Sequence, residues 1–183
     1  TADLSRYGAV VVGPRAFAAT PALVASAPRL QDYARAGGTV VVQYGQNEIQ
    51  TPGILPYPVT LARTAARVTD EMAPVRVLDP GARLLASPNR ISQSDFEHWV
   101  QERAVYMPST IDPHYRTLLE MHDPGEPPNE GAVLIAPLGR GAYVYTTLAL
   151  FRQLPAGVPG AARIFLNLLA ADGRAAAVTS AQP

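Results

Sequence analysis

The sequence predicts an α/β fold built on parallel strands. Two observations carry this. Gly8-Ala9-Val10-Val11-Val12-Gly13 and Thr39-Val40-Val41-Val42-Gln43-Tyr44 are short, unbroken apolar runs of the kind found in strands covered on both faces. Between them lie a helical pattern and a Gly37-Gly38 stop, so strand, helix and strand make one right-handed βαβ unit.

The first run, closed by Gly13-Pro14, reads as a central parallel strand. Thr20-Pro21 supplies a cap and a first-turn proline for a short helix. Pro28 costs about 3 kcal/mol inside a helix, so a fresh helix starts there, with Leu30, Tyr33 and Ala34 as its apolar face. After the second strand, residues 45–58 carry glycine, proline, asparagine and glutamine without a period. This is a long loop at the carboxyl end of a strand, where open α/β sheets bind ligands.

Val75-Arg76-Val77 reads as a strand that ends in the turn Asp79-Pro80-Gly81. Ser94 and Glu97 have capping-box spacing, which predicts a helix over 94–103. On that helix Phe96, Trp99, Val100 and Arg103 would share one stripe and Asp95, His98 and Glu102 the next. The proline-rich stretch 123–129 is a loop. Ala132 to Ala136 and Ala142 to Leu148 flank Leu138-Gly139-Arg140-Gly141 as an antiparallel hairpin, expected on one side of the sheet. Pro159-Gly160 opens a last helix with Ala161, Ile164, Phe165, Leu168 and Leu169 on its apolar face. One domain over 1–171 and a flexible tail or linker over 172–183 are expected, and 183 residues leave little room for a second domain.

Composition narrows the function. All fifteen basic residues are arginine, balanced by fifteen acidic ones, so no basic field draws nucleic acid or anionic lipid. The densest apolar run, 164–171, is interrupted by Asn167 and is far shorter than the roughly 18–20 residues of a membrane span. Cysteine is absent, which removes disulfides, thiolate nucleophiles and cysteine metal sites. There is no Gly-x-Ser-x-Gly elbow, and Gly139-Arg140-Gly141 lacks the remaining glycine of a phosphate loop, so no cofactor is expected. Charged residues are only 16% of the chain, against roughly a quarter in ordinary soluble domains, which points to surface covered by a partner.

A ligand, if bound, is expected at the carboxyl ends of the strands, bordered by Gln46, Asn47, the polar side of the 94–103 helix with Asp95, Trp99 and Glu102, and Arg152-Gln153. Amides, carboxylates and one indole suit a sugar, although Trp99 reads first as a core anchor. Arg152 reads first as fixing an acidic side chain of the same fold. The alternative is a metal-assisted hydrolase centred on His122, Asp123 and Glu126; more simply, Asp123 and Glu126 organise turns.

Asp3-Leu4-Ser5-Arg6-Tyr7, Gly13-Pro14-Arg15-Ala16-Phe17, Asn89-Arg90-Ile91, Asp95-Phe96 with Trp99 to Arg103, His122-Asp123-Pro124-Gly125-Glu126 and Phe151-Arg152-Gln153-Leu154-Pro155 carry a resemblance over nearly the whole chain to about Ala171. With the two strand patterns, they resemble the class I glutamine amidotransferase-like domain, a flavodoxin-like three-layer sandwich. The form resembled is the one C-terminal to the deacetylase domain of long bacterial PIG-L/LmbE-type proteins.

The resemblance implies an accessory domain of an N-acetyl-sugar deacetylase. Without cysteine it cannot perform glutaminase chemistry, and the His-Pro-Asp-Asp and His-x-x-His strings of the zinc deacetylase are absent. It also implies that the family's first strand, helix and strand are missing before Asp3, and that an upstream deacetylase domain or a second copy of the chain partners it.

Overall fold

A computed structural model describes residues 2–176. In chain order the strands are β1 (Ala9–Val12), β2 (Thr39–Gln43), β3 (Val59–Thr60), β4 (Ala66–Val68), β5 (Val75–Val77), β6 (Ala104–Met107), β7 (Thr110–Ile111), β8 (Arg116–Thr117), β9 (Leu119–Met121), β10 (Val133–Leu138) and β11 (Gly141–Thr146). The helices are α1 (Ala16–Ala19), α2 (Pro21–Ala25), α3 (Ala27–Arg35), α4 (Arg83–Ala86), α5 (Leu150–Gln153), α6 (Pro159–Leu169) and α7 (Gly173–Ala176).

The main sheet has the order β1-β2-β11-β10-β8. β1, β2 and β11 are parallel, with Val10 opposite Val40 and Val11 opposite Val41, while β11, β10 and β8 are antiparallel, so the sheet is mixed. Side-chain alternation divides the core into two faces. Val40, Val42, Tyr143 and Tyr145 pack with Leu30, Tyr33 and Ala34 of α3. Val41, Val144 and Ile135 pack with Ile164 and Leu168 of α6. Helices therefore cover both faces of a mixed α/β sheet. Six further strands pair as three separate two-stranded ribbons, β3-β7, β4-β6 and β5-β9.

Local chemistry explains the elements that position the site. α3 ends in a Schellman arrangement: Gly38 N–H donates to Tyr33 O at 3.1 Å and Gly37 N–H to Ala34 O at 2.9 Å. Gly37 takes φ +114, a conformation that favours glycine. Asn167, which interrupts the apolar run of α6, is fully buried. It donates to the carbonyls of Leu84 and Asn89 at 2.7 Å each and accepts from Asn89 N–H at 2.9 Å, pinning the 84–89 segment to the core.

Two expectations need correction. β1 is an edge strand, not a central one: it pairs only with β2, and Val11 is 40% exposed. An apolar run specifies burial but not which neighbour supplies it. The strand expected at Val75–Val77 does form, in a ribbon with β9.

The second correction concerns the helix expected over 94–103, which does not form. The reciprocal cap closes earlier, with Ser92 N–H donating to Asp95 Oδ2 at 2.8 Å around a single 3-10 turn, Gln93–Phe96. Glu97 is extended, and His98 and Gln101 adopt φ of 59° and 65°. The two stripes read onto that helix therefore do not exist. Within the segment read as a tail, Gly173–Ala176 is a short helix packed on β10 and β11; residues 177–183 lie outside the described residues.

Candidate functional site

The three parallel strands bring Arg15, Tyr44, Gln46, Asn47 and the α5 segment to one edge of the sheet. Arg15, at φ 54°, donates its backbone N–H to Tyr44 O at 2.8 Å, tying the exits of β1 and β2 together. Tyr44 stacks on Tyr106 at 5.7 Å between centroids with planes 10° apart, and meets Phe151 at 5.4 Å. The Arg67 guanidinium lies 5.6 Å from the Tyr106 centroid and that of Arg152 lies 5.0 Å from Phe151. Tyr106 itself adopts φ 52°. A left-handed tyrosine costs on the order of 1–3 kcal/mol, and surrounding contacts must hold it there.

Glu102 is the electrostatic centre of this edge. It is 4% exposed, and each carboxylate oxygen has its own guanidinium: Arg152 Nε donates to Oε1 at 2.7 Å and Arg67 Nη2 donates to Oε2. The bond to Glu102 holds the Arg67 guanidinium above its ordinary pKa, more than offsetting its partial burial. Burial pushes the Tyr44 phenol up, further from the neutral range in which any ordinary phenol is already protonated. A carboxylate with both oxygens engaged by cations is a poor general base, and a protonated phenol is a poor nucleophile. The cluster is suited to holding shape rather than to moving protons.

The backbone leading to Glu102 is fastened by Gln153, which is fully buried. Its amide accepts from Val100 N–H at 2.8 Å and donates to Val100 O at 2.9 Å and Glu102 O at 3.1 Å. Gln43, at the end of β2, keeps its Oε1 without a hydrogen-bond partner among the described residues, as does Arg103 Nε.

Of the residues expected here, Gln46, Asn47, Glu102, Arg152 and Gln153 come to this edge. Gln46 is half-buried and Asn47 exposed. Asp95 and Trp99 belong to the core instead. Asp95 is 5% exposed and accepts from Arg163 Nε at 2.7 Å, and Trp99 is 3% exposed with Nε1 donating to Asp95 O at 2.9 Å. The indole packs on Phe96 at 5.7 Å, so it serves as a core anchor rather than a platform. Arg152 fixes an acidic side chain of its own fold. The aromatic members Tyr44, Tyr106 and Phe151, and Arg67 with them, went unread. They sit far apart in sequence, with no period to join them, and the only local signal was Phe151 beside Arg152.

The alternative metal set is not assembled. Asp123 accepts from Thr69 N–H at 2.9 Å, the Thr69 hydroxyl at 2.6 Å and Asp70 N–H at 2.9 Å, so it organises the 69–70 turn. Among the described residues no group of three histidine, aspartate or glutamate side chains is placed to hold a metal ion. His122, Asp123 and Glu126 instead line a cleft of about 520 Å³ that also reaches Arg67.

No family model matches this chain, and no curated protein does. Among solved structures it resembles the cytoplasmic protein STM3548 from Salmonella typhimurium, with a TM-score of 0.60 and 10% identity over 92% of this chain and 73% of that one. It also resembles part of the cold-adapted β-galactosidase from Rahnella sp. R3, with a TM-score of 0.50 and 17% identity, covering 91% of this chain but 24% of the enzyme. At such identities the likeness is one of fold, and that fold is α/β with a mixed sheet.

Proposed function

We propose that this chain is a non-catalytic, amidotransferase-like accessory domain of flavodoxin-like architecture, which binds carbohydrate and docks against a partner surface in a PIG-L/LmbE-type N-acetyl-sugar deacetylase. The parallel β1-β2-β11 core with helices on both faces supports the architecture. One observation supports the non-catalytic reading above the others. At the strand ends, where an α/β enzyme places its reacting groups, the buried carboxylate of Glu102 is locked between Arg67 and Arg152. A carboxylate braced in that way is not free to act as a base.

The partner is an upstream deacetylase domain or a second copy of the chain, and the unpaired, uncharged edge of β1 offers the surface for it. The test is direct: purified chain is assayed against glutamine and N-acetylated sugars, with and without zinc. No turnover is expected in either condition. Zinc-dependent turnover abolished by His122→Ala would overturn the reading in favour of a metal-assisted hydrolase.

A further inference from the structure

We infer that the cleft walled by residues 62–69 and 121–129 is the carbohydrate site, and that it takes a small, neutral, polyhydroxylated ring. This rests on the reading of the chain as a carbohydrate-binding module and gives that reading a location that meets the braced strand ends at Arg67. The cleft measures about 520 Å³, within the range of about 300–1,000 Å³ typical of small-molecule sites.

Its lining is mixed. Ala62, Ala66, Pro127 and Pro128 are exposed and present apolar surface beside the polar side chains, while Met107 and Met121 are almost fully buried. A ligand therefore meets C–H surface at these alanines and prolines.

The titratable groups that line the cleft are Arg67, His122, Asp123 and Glu126. With the imidazole neutral, one positive charge faces two negative ones, and Glu102, outside the lining, already pairs with the positive charge. An anion is disfavoured by that balance. A cation gains little, because Asp123 is engaged by three donors from Thr69 and Asp70, leaving Glu126 as the cleft's one carboxylate without a side-chain partner among the described residues. What remains is a set of directional neutral partners.

His122 Nδ1 lies 3.0 Å from the carbonyl oxygen of Asp123. A carbonyl only accepts, so Nδ1 carries the proton and Nε2 of the neutral ring is left as an acceptor. Arg67 spends one nitrogen on Glu102 and retains further N–H donors. Ser109, also in the lining, donates its hydroxyl to Thr60 O at 3.1 Å and so keeps acceptor capacity. Acceptors and donors share this lining with the apolar side chains of Ala62, Ala66, Pro127 and Pro128. A hydroxyl both donates and accepts, and a sugar ring couples several hydroxyls to apolar C–H faces, so this chemistry matches it better than a phosphate or a polyamine.

The test is titration of the ¹⁵N-labelled full chain, followed by amide chemical shifts, with glucose and N-acetylglucosamine as neutral probes and inorganic phosphate and spermidine as charged ones. Shifts are expected with the sugars, grouped at residues 62–69, 107–109 and 121–129. His122→Ala should weaken binding by about tenfold, the loss of one good hydrogen bond. His122→Gln, which restores an acceptor, should recover most of it. Ala62→Trp, an exposed change at the rim, should block the cleft without disturbing the core. Sugar shifts confined to 44–47 and 151–153, binding of phosphate or spermidine in place of sugar, or no sugar response at all would each overturn the assignment. Failure of the non-catalytic reading is recognised separately, as acetate or product signals accumulating in the same tube.

Discussion

Val100 and Gln153 exchange two hydrogen bonds across 53 positions of sequence, the backbone N–H of Val100 donating to Gln153 Oε1 and Gln153 Nε2 donating back to Val100 O. The side chain thus supplies what a neighbouring strand would have supplied to an isolated stretch of backbone. Gln153→Leu keeps the volume and removes these two bonds and the one to Glu102 O. It should cost about 2–4 kcal/mol, because buried backbone groups are left unpaired. Urea denaturation at neutral pH measures this, and a cost below 1 kcal/mol would show that water replaces the amide.

Glu102→Gln keeps the shape of the brace and deletes its charge. Arg67 and Arg152 side chains are 41% and 34% exposed, so solvent compensates part of the loss. The expected cost is about 1–3 kcal/mol, between an exposed pair and a fully buried one. Near-ultraviolet circular dichroism should also change, since Tyr106 and Phe151 are held by the same two guanidinium groups. An unchanged aromatic spectrum would detach the rings from the ion pairs.

Gly160 fixes how closely α6 approaches the segment that carries the site. A Cβ there would stand 2.0 Å from the carbonyl oxygen of Asp95, whereas one at Gly13 would meet nothing within 4 Å. Gly160→Ala should therefore cost at least about 1–3 kcal/mol through forced backbone movement, while Gly13→Ala should change stability by under about 1 kcal/mol. Thermal melting of the two variants, side by side with the parent chain, decides it.

The same glycine shows what the sequence makes legible. Pro159-Gly160 marks a helix start by local chemistry, and Gly37-Gly38 marks a helix end, so both ends could be placed from sequence. That Gly160 is needed for contact with a carbonyl 65 positions away is tertiary information. The parallel pairing of β1 with β2 was legible because one short βαβ unit sets it. The edge position of β1 was not, since that depends on which strands join from elsewhere.

The segment 94–103 was misread for a related reason. Its apolar spacing fits a helix, but Asp95 forms its cap with Ser92 and its ion pair with Arg163, and Gln153 satisfies the following backbone. Partners distant in sequence outweighed local periodicity.

Asp123 should set part of the acid limb of stability. Burial alone would raise its carboxyl pKa, but hydrogen bonds from the Thr69 hydroxyl and the Asp70 and Thr69 backbone N–H groups outweigh this and hold it below the ordinary value. A depressed carboxyl stabilises the fold above its unfolded pKa of about 4, and that contribution fades as pH falls through the lower folded value. Asp123→Asn should lower stability at neutral pH and flatten the loss between about pH 4 and 2. Parallel curves for the two proteins over that interval would refute the assignment.

The edge of β1 should drive association. Thr39 N–H bonds Gly8 O at 3.3 Å, and in a parallel ladder the even residues of β1 then face β2, which directs the N–H and C=O groups of Ala9 and Val11 outward. β1 is short, four residues, but it is Ala-Val-Val-Val, with no charge and no proline to guard its edge. Among the described residues, five large hydrophobic side chains are prominently exposed; Tyr7 at 56% and Val11 at 40% belong to this strand and its approach, and Leu166 at 52% to α6, which packs on β1. Val11 lies opposite Val41, whose side chain joins the α6 face of the core, so its exposed side chain emerges on the same side as Leu166. The isolated chain should self-associate in sedimentation velocity as its concentration rises. Val11→Lys should suppress that association while leaving the melting temperature within a few degrees of the parent, because a half-exposed edge valine contributes little to the core. Met72→Lys, which changes another exposed side chain, should leave association intact. A parent chain that stays monomeric at high concentration, or equal effects of the two lysines, would remove β1 as the docking edge.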